Sequence, residues 1–107
     1  MDRYLCEATY TAEGLKGLIA AGAKARLQVV DDLTASVGGS LVSFDFVVGG
    51  PGVYLICELP DDEAAHAVAL AIGASGALDT FDIVKLLSAE QVDAAVARNA
   101  RYVPPGG

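Results

Sequence analysis

Between Ser40 and Val48 the residues alternate for most of the run, with Val42, Phe44, Phe46 and Val48 on one side of a pleated strand. Leu41, Ser43, Asp45 and Val47 fall on the other. Val53 to Leu59 follows, rich in the β-branched and aromatic residues that suit a largely buried strand. Between the two runs stands Gly49-Gly50-Pro51-Gly52. Its glycines take positive φ without steric cost and its proline brings a fixed φ, so the segment predicts a hairpin loop. A glycine-rich loop that cradles phosphate needs a helix start directly after it, and here a strand follows, which argues against that use.

The flanking chain supplies the remaining elements. Arg3 to Tyr10 sets Tyr4, Cys6, Ala8 and Tyr10 against Arg3, Leu5, Glu7 and Thr9, a first strand. Thr11 can cap a helix that Gly14, Gly17 and Gly22 weaken, so a short or broken helix is expected there. A firmer one runs from about Ala23 to Val37, with Ala25, Leu27, Val30, Leu33 and Val37 near helical spacing and Gly38-Gly39 as its stop. Asp61 or Asp62 caps a third helix, Ala64 to Ser75, apolar nearly all round except for His66 and Ser75. Such a helix is expected to be covered on more than one side. Ala77 to Leu87 reads as a fourth strand, and Ser88-Ala89-Glu90-Gln91 opens a last helix with a capping-box pattern. That helix ends near Ala100.

The order is thus strand, helix, strand, strand, helix, strand, helix. Two strand–helix–strand units split by a hairpin predict an α+β, ferredoxin-like βαββαβ sandwich with a four-stranded antiparallel sheet and an added C-terminal helix. Helices then cover one sheet face and leave the other bare. The consistently apolar set under the helices is Tyr4, Cys6, Ala8, Val42, Phe44, Phe46, Leu55 and Cys57. The opposite set mixes Leu5, Leu41, Val47 and Ile56 with Glu7, Thr9, Ser43, Asp45, Tyr54 and Glu58. A half-apolar face seldom stays in water, so Leu5, Leu41, Val47 and Ile56 are the expected contacts of a homodimer or higher homo-oligomer.

Length and charge narrow the function classes. The 107 residues make one domain, 1–107, with 102–107 as an extended tail. Fourteen acids against seven bases give a net charge of -7, which repels a phosphate backbone, so nucleic acid is not expected as a partner. No apolar run reaches the roughly 18 residues of a membrane span, and the start leads straight into a strand, so neither a membrane partner nor a signal peptide is expected and the compartment reads as cytoplasmic. Cys6 and Cys57 read as small buried hydrophobes in reduced form, although a bridge is geometrically open to neighbouring strands. One histidine and no Cys-x-x-Cys leave too few ligands for a metal site, and no cofactor fingerprint occurs.

Several side chains are candidates for a ligand pocket. Glu7, Asp45 and Glu58 can cluster on the open face, where close carboxylates would raise one another's pKa. The plainer reading, rim charges paired with Arg3 or Arg101, is preferred because structural ion pairs outnumber catalytic dyads. Tyr54 is an interface aromatic first and a ligand-binding hydroxyl second. His66 is the one side chain that titrates readily near neutral pH and can face a gap between helix and sheet, but no carboxylate partner is placed for it. Tyr4 and Tyr10 complete the set as pocket-wall candidates.

Several segments together resemble the GYD-domain family of small bacterial proteins. These are Tyr4-Leu5, Tyr10-Thr11-Ala12-Glu13-Gly14-Leu15-Lys16-Gly17-Leu18, Gly38-Gly39, Val53-Tyr54, Glu58-Leu59-Pro60-Asp61, Ala69 to Gly76 and the tail Tyr102-Val103-Pro104-Pro105-Gly106. The resemblance implies a dimeric α/β-barrel kind of fold, in which two sheets pack through their uncovered faces. At the hairpin turn the family's tyrosine and aspartate are replaced by Pro51 and Gly52, so no role of those side chains carries over. The resemblance implies fold and assembly, and no particular reaction. The leading expectation is a homo-oligomeric assembly or small-molecule-binding module. The alternative is a cofactor-independent enzyme of the oxygenase or isomerase type that the dimeric α/β-barrel group includes, with a pocket between sheet and helices. A subunit that engages another partner through Tyr102 to Gly107 is the third.

Overall fold

The computed structural model describes all 107 residues, Met1–Gly107. Its elements are β1 (Asp2–Tyr10), α1 (Ala12–Ala21), α2 (Ala23–Ser36), β2 (Ser40–Phe46), β3 (Gly52–Leu59), α3 (Asp62–Ser75), β4 (Leu78–Leu86) and α4 (Ala89–Ala97). The strands form one antiparallel sheet in the order β2-β3-β1-β4. The ferredoxin-like expectation holds element by element.

Local chemistry accounts for the boundaries. The Thr11 hydroxyl accepts from the Gly14 amide and starts α1, while Gly22 at φ 91° breaks the helix before α2, where a side chain would be strained. Asp61 caps α3, and Ser88 with Gln91 forms the full capping box of α4. The loop after β2 is a hairpin turn, closed by the Val47 amide donating to the Gly52 carbonyl at 2.9 Å.

The core lies between the sheet and α2 and α3. It is built on Tyr4, Cys6, Leu55, Cys57 and Leu59 from the central strands, with Val30 and the buried Thr34 from α2 and Ala65 and Val68 from α3. The inward stripe of α2 differs from the expected one: Arg26, Val30, Leu33, Thr34 and Val37 are buried or half-buried, whereas Ala25 and Leu27 face outward. Nor is α3 covered on several sides, because Leu70, Ala67 and Ala71 remain exposed.

A bulge in β2 changes the expected faces. Leu41 pairs with Cys57 and Ser43 with Ile56, so Val42 is an extra residue between them. The strict alternation read from the sequence assigned Leu41 to the open face and Val42 to the core. Instead Leu41 packs against the core and Val42 is 49% exposed. Leu41 is therefore withdrawn as an interface contact.

The C-terminal part leaves the domain. Every residue from Leu87 to Gly107 is exposed, and α4 buries no side chain. The radius of gyration is 17.2 Å, against about 13 Å for a compact chain of this length. The molecule is accordingly 58 Å long in one direction and 24 Å in another.

Candidate functional site

Strand register sorts the open face into rows. Leu5 lies between Ile56 and Val84, an apolar row across three strands. The next row runs Asp45, Tyr54, Glu7, Asp82, three carboxylates and a phenol across all four strands. Beyond it a shallow recess at the hairpin end is bordered by Glu7, Thr9, Val47, Tyr54, Thr80 and Asp82. Of the group Glu7, Asp45 and Glu58 read from the sequence, the structure sets Glu7 and Asp45 in one row with Tyr54 between them. Glu58 stands apart, two rows away on the same strand as Tyr54, where its carboxylate accepts from Arg3 at 2.7 Å. For that residue the rim ion pair is what the fold makes. Asp82 and Val84 were not assigned to the open face because the sequence reading did not divide the fourth strand into faces, although its alternation of Thr80, Asp82, Val84 and Leu86 carried the signal.

The covered face holds a different kind of site. Between α2, α3 and the sheet lies a hollow of about 200 Å³. Val29, Val30, Leu33, Phe44, Ile72 and Phe81 dominate its walls, and 13 of its 15 lining residues are hydrophobic. A larger, more open hollow of about 410 Å³ adjoins it toward α1 and shares Tyr10, Arg26, Val29, Ser75 and Ala77 with it. Gly14 lines the outer hollow and lets α1 approach the chain before β4 closely, since a Cβ there would meet the Ala77 carbonyl oxygen. The Ser75 hydroxyl is already engaged, donating to the Ile72 carbonyl at 2.6 Å and accepting from the Ala77 amide. Arg26 is different: its Nε is fully shielded and has no hydrogen-bond partner. Arg26 was not singled out in the sequence, although it sits four residues before Val30 and seven before Leu33, on the inward stripe of α2.

The other candidates are placed as follows. Tyr10 lines both hollows. His66 is exposed on α3 and lines neither hollow, so it does not look into the helix–sheet gap. Cys6 and Cys57 are buried and free. Their mutual hydrogen bond and their burial push the Cys6 thiol up, so it stays protonated. Tyr4 is a core residue and not a pocket wall. Its hydroxyl donates to Asp62 at 2.6 Å, the same carboxylate oxygen that Lys85 reaches at 2.8 Å. The contact joins β1, α3 and β4. The Lys85 ammonium and then the Tyr4 hydroxyl hold the Asp62 carboxyl below its usual range. Burial first, then the bond to Asp62, push the Tyr4 phenol up to about 12.

A folded-state pKa raised above the unfolded one contributes stability that is full below the unfolded value, about 10 for a phenol, and is lost as the pH rises toward the folded value. Stability should therefore fall between pH 10 and about 12. Tyr4→Phe should remove the phenol's share of that fall, leaving the Lys85–Asp62 contact in place. Denaturant melts at several alkaline pH values check this. Identical pH dependence in the two proteins would show that Tyr4 ionises freely.

A family model described as the GYD domain matches residues 4–96. The chain belongs to the GYD-domain family. Solved structures similar to this GYD-domain protein include protein Atu4242 from Agrobacterium tumefaciens, at 17% identity and TM-score 0.50, covering 83% of this chain and 94% of that one. A second is TftG, the 5-chloro-2-hydroxyhydroquinone dehydrochlorinase of Burkholderia phenoliruptrix AC1100, in complex with 2,5-dihydroxybenzoquinone (15% identity, 83% and 97% covered, TM-score 0.51). A third is PA3566 from Pseudomonas aeruginosa (14% identity, 81% and 92% covered, TM-score 0.51). At such identities the likeness is one of fold, and the GYD-domain protein has the fold of the dimeric α/β-barrel type. A comparison with curated proteins gives no match. No helix of the GYD-domain protein is long and apolar enough to cross a membrane.

Proposed function

We propose that this GYD-domain protein is a cytoplasmic homodimer that binds a small molecule in the hollow between sheet and helices of each subunit. The observation that carries the reading is the pair of surfaces the single chain leaves without a partner. One is the open sheet face with its Leu5–Ile56–Val84 row. The other is the projecting C-terminal arm, which exposes Val92, Val96, Tyr102 and Val103. A second copy offers both at once: the sheets stack through their apolar rows, and each arm lies on the other subunit. The carboxylate row then sits beside the apolar one and keeps the interface partly wet. That one protein of this fold is named a dehydrochlorinase supports small-molecule chemistry as something the scaffold can carry.

Binding is preferred over catalysis for a specific reason. The inner hollow is lined by no histidine, carboxylate or thiol; its Ser75 hydroxyl is held by the Ile72 carbonyl and the Ala77 amide, and its Tyr10 phenol has no base beside it in the lining. Native mass spectrometry of gently purified protein reads subunit number and bound mass together. A dimer, with or without a retained ligand, is expected; a monomer would overturn the assembly half of the proposal. The arm is tested separately by Val92→Asp with Val96→Asp in the full chain. Both residues are exposed, so the secondary structure seen by circular dichroism should be unchanged while self-association weakens about tenfold or more. Undiminished association would free the arm from this role.

A further inference from the structure

The reading of the hollow as a ligand site leaves open what it holds, and the wall chemistry narrows that choice. We infer that the hollow takes a small organic anion, an aromatic or short aliphatic carboxylate, with its apolar body against the sheet and its carboxylate on Arg26. The inference rests on the hollow being a ligand site, as proposed above.

Two observations point this way, and a third sets the condition that the site must meet. The first is the state of Arg26 itself. Arg3 and Lys85 on the same domain are paired with carboxylates at 2.7 and 2.8 Å, whereas Arg26 takes part in no ion pair and its Nε is shielded without a partner. Arg26 borders both hollows with no carboxylate to neutralise it, and a buried donor left unmade costs about 1–3 kcal/mol, so a turn of the side chain toward an acceptor in the hollow would relieve the shielded Nε as well. Its fork of N–H groups matches a carboxylate in a bidentate manner, which a neutral ligand cannot use as fully. A cationic ligand would be repelled.

The second observation is the shape and polarity of the space. The inner hollow is about 200 Å³, or roughly six or seven water volumes at ~30 Å³ each, which suits a body of benzoate size. Its walls offer ring and aliphatic contacts from Phe44, Phe81, Val30 and Leu33. Arg26 borders both this part and the outer hollow, so the charged end of the ligand faces the opening and the apolar end faces the core. The third is the background charge. The net charge of -7 works against any anion, so the attraction has to come from Arg26 at the hollow itself. Glu13 is the acid that borders the outer hollow, and it is 3.5 Å from Lys16 rather than on Arg26.

The test titrates the full-length protein with benzoate and with benzyl alcohol, its neutral counterpart, by isothermal calorimetry and amide chemical shifts. Benzoate should bind saturably, one per subunit, with shifts centred on Val29, Val30, Leu33 and Ile72. Arg26→Gln should weaken benzoate at least tenfold while leaving benzyl alcohol unchanged, and Arg26→Lys should restore part of the loss. Glu13→Gln, which removes the negative charge at the mouth, should tighten benzoate. If benzyl alcohol binds as well as benzoate, and Arg26→Gln affects neither, the anion assignment is overturned while the ligand site stands. If neither probe shifts the lining residues, both fall. Thermal melts of each variant separate loss of binding from loss of fold.

Discussion

The Ile56→Asp variant is expected to be a monomer at concentrations where the unaltered protein is a dimer. Ile56 lies on an inner strand of the sheet at one end of the apolar row, with Leu5 on one neighbouring strand and Ser43 on the other. Stacking two sheets removes this row from water on both subunits at once, and aspartate would place two charges, one per subunit, in the drained centre. A central contact of this kind costs about 2 kcal/mol or more when lost, roughly thirtyfold in the dissociation constant, and an unpaired charge there costs further. In the separated subunit Ile56 is only half-buried and lies on the face away from the core, so the fold itself should persist. Ile19→Asp is the matched control, since that side chain is 81% exposed on α1, on the other side of the molecule from the row. Light scattering over a dilution series, with circular dichroism alongside, decides the matter. A dimeric Ile56→Asp protein would show that the copies meet elsewhere.

Most of the fold was legible because local signals and the global arrangement agree. Thr11, Gly22, Asp61 and the Ser88–Gln91 box each mark a helix boundary by a mechanism that acts within a few residues. Where the reading failed, the deciding contact was distant in the chain. The β2 bulge exchanges the roles of Leu41 and Val42, and nothing within Ser40 to Val48 announces it; the cause lies in pairing with Cys57 and Ile56 on β3. For Glu58 the preferred reading, a rim charge paired with an arginine, is what the fold makes, and register is what selects Arg3 as the partner. His66 attracted attention through its chemistry, yet its place on the outer side of α3 depends on how that helix is rolled against the sheet. Arg26 shows the reverse. Its chemistry looked ordinary, and only its position on the inward stripe, four residues before Val30, separated it from the other surface cations. A charged residue in phase with a helix's buried positions thus reaches the wall of the hollow, which the lone histidine does not.

Gly39→Ala is expected to cost about 1–3 kcal/mol and to lower the melting temperature by roughly 10 °C at fixed protein concentration. Gly39 joins α2 to β2, and its amide donates to the Thr34 carbonyl at 2.9 Å. A Cβ at this position would run into the Glu58 carbonyl oxygen and lie 2.5 Å from Leu59 Cδ2. Neither obstacle can yield cheaply. Glu58 is paired on both sides, with Ser40 and Arg3, in a strand interior to the sheet, and Leu59 is fully buried in the core. The added methyl must therefore push β2 away from β3, at the strand that carries Phe44 into the wall of the inner hollow. Gly17→Ala supplies the opposite sign. It lies within α1 with nothing inside 4 Å of the new Cβ, so alanine should stabilise by about 0.5–1 kcal/mol through helix propensity and a less free unfolded chain. Urea melts of the two variants separate close approach from backbone freedom, and equal effects would mean that α2 and β2 shift together to make room.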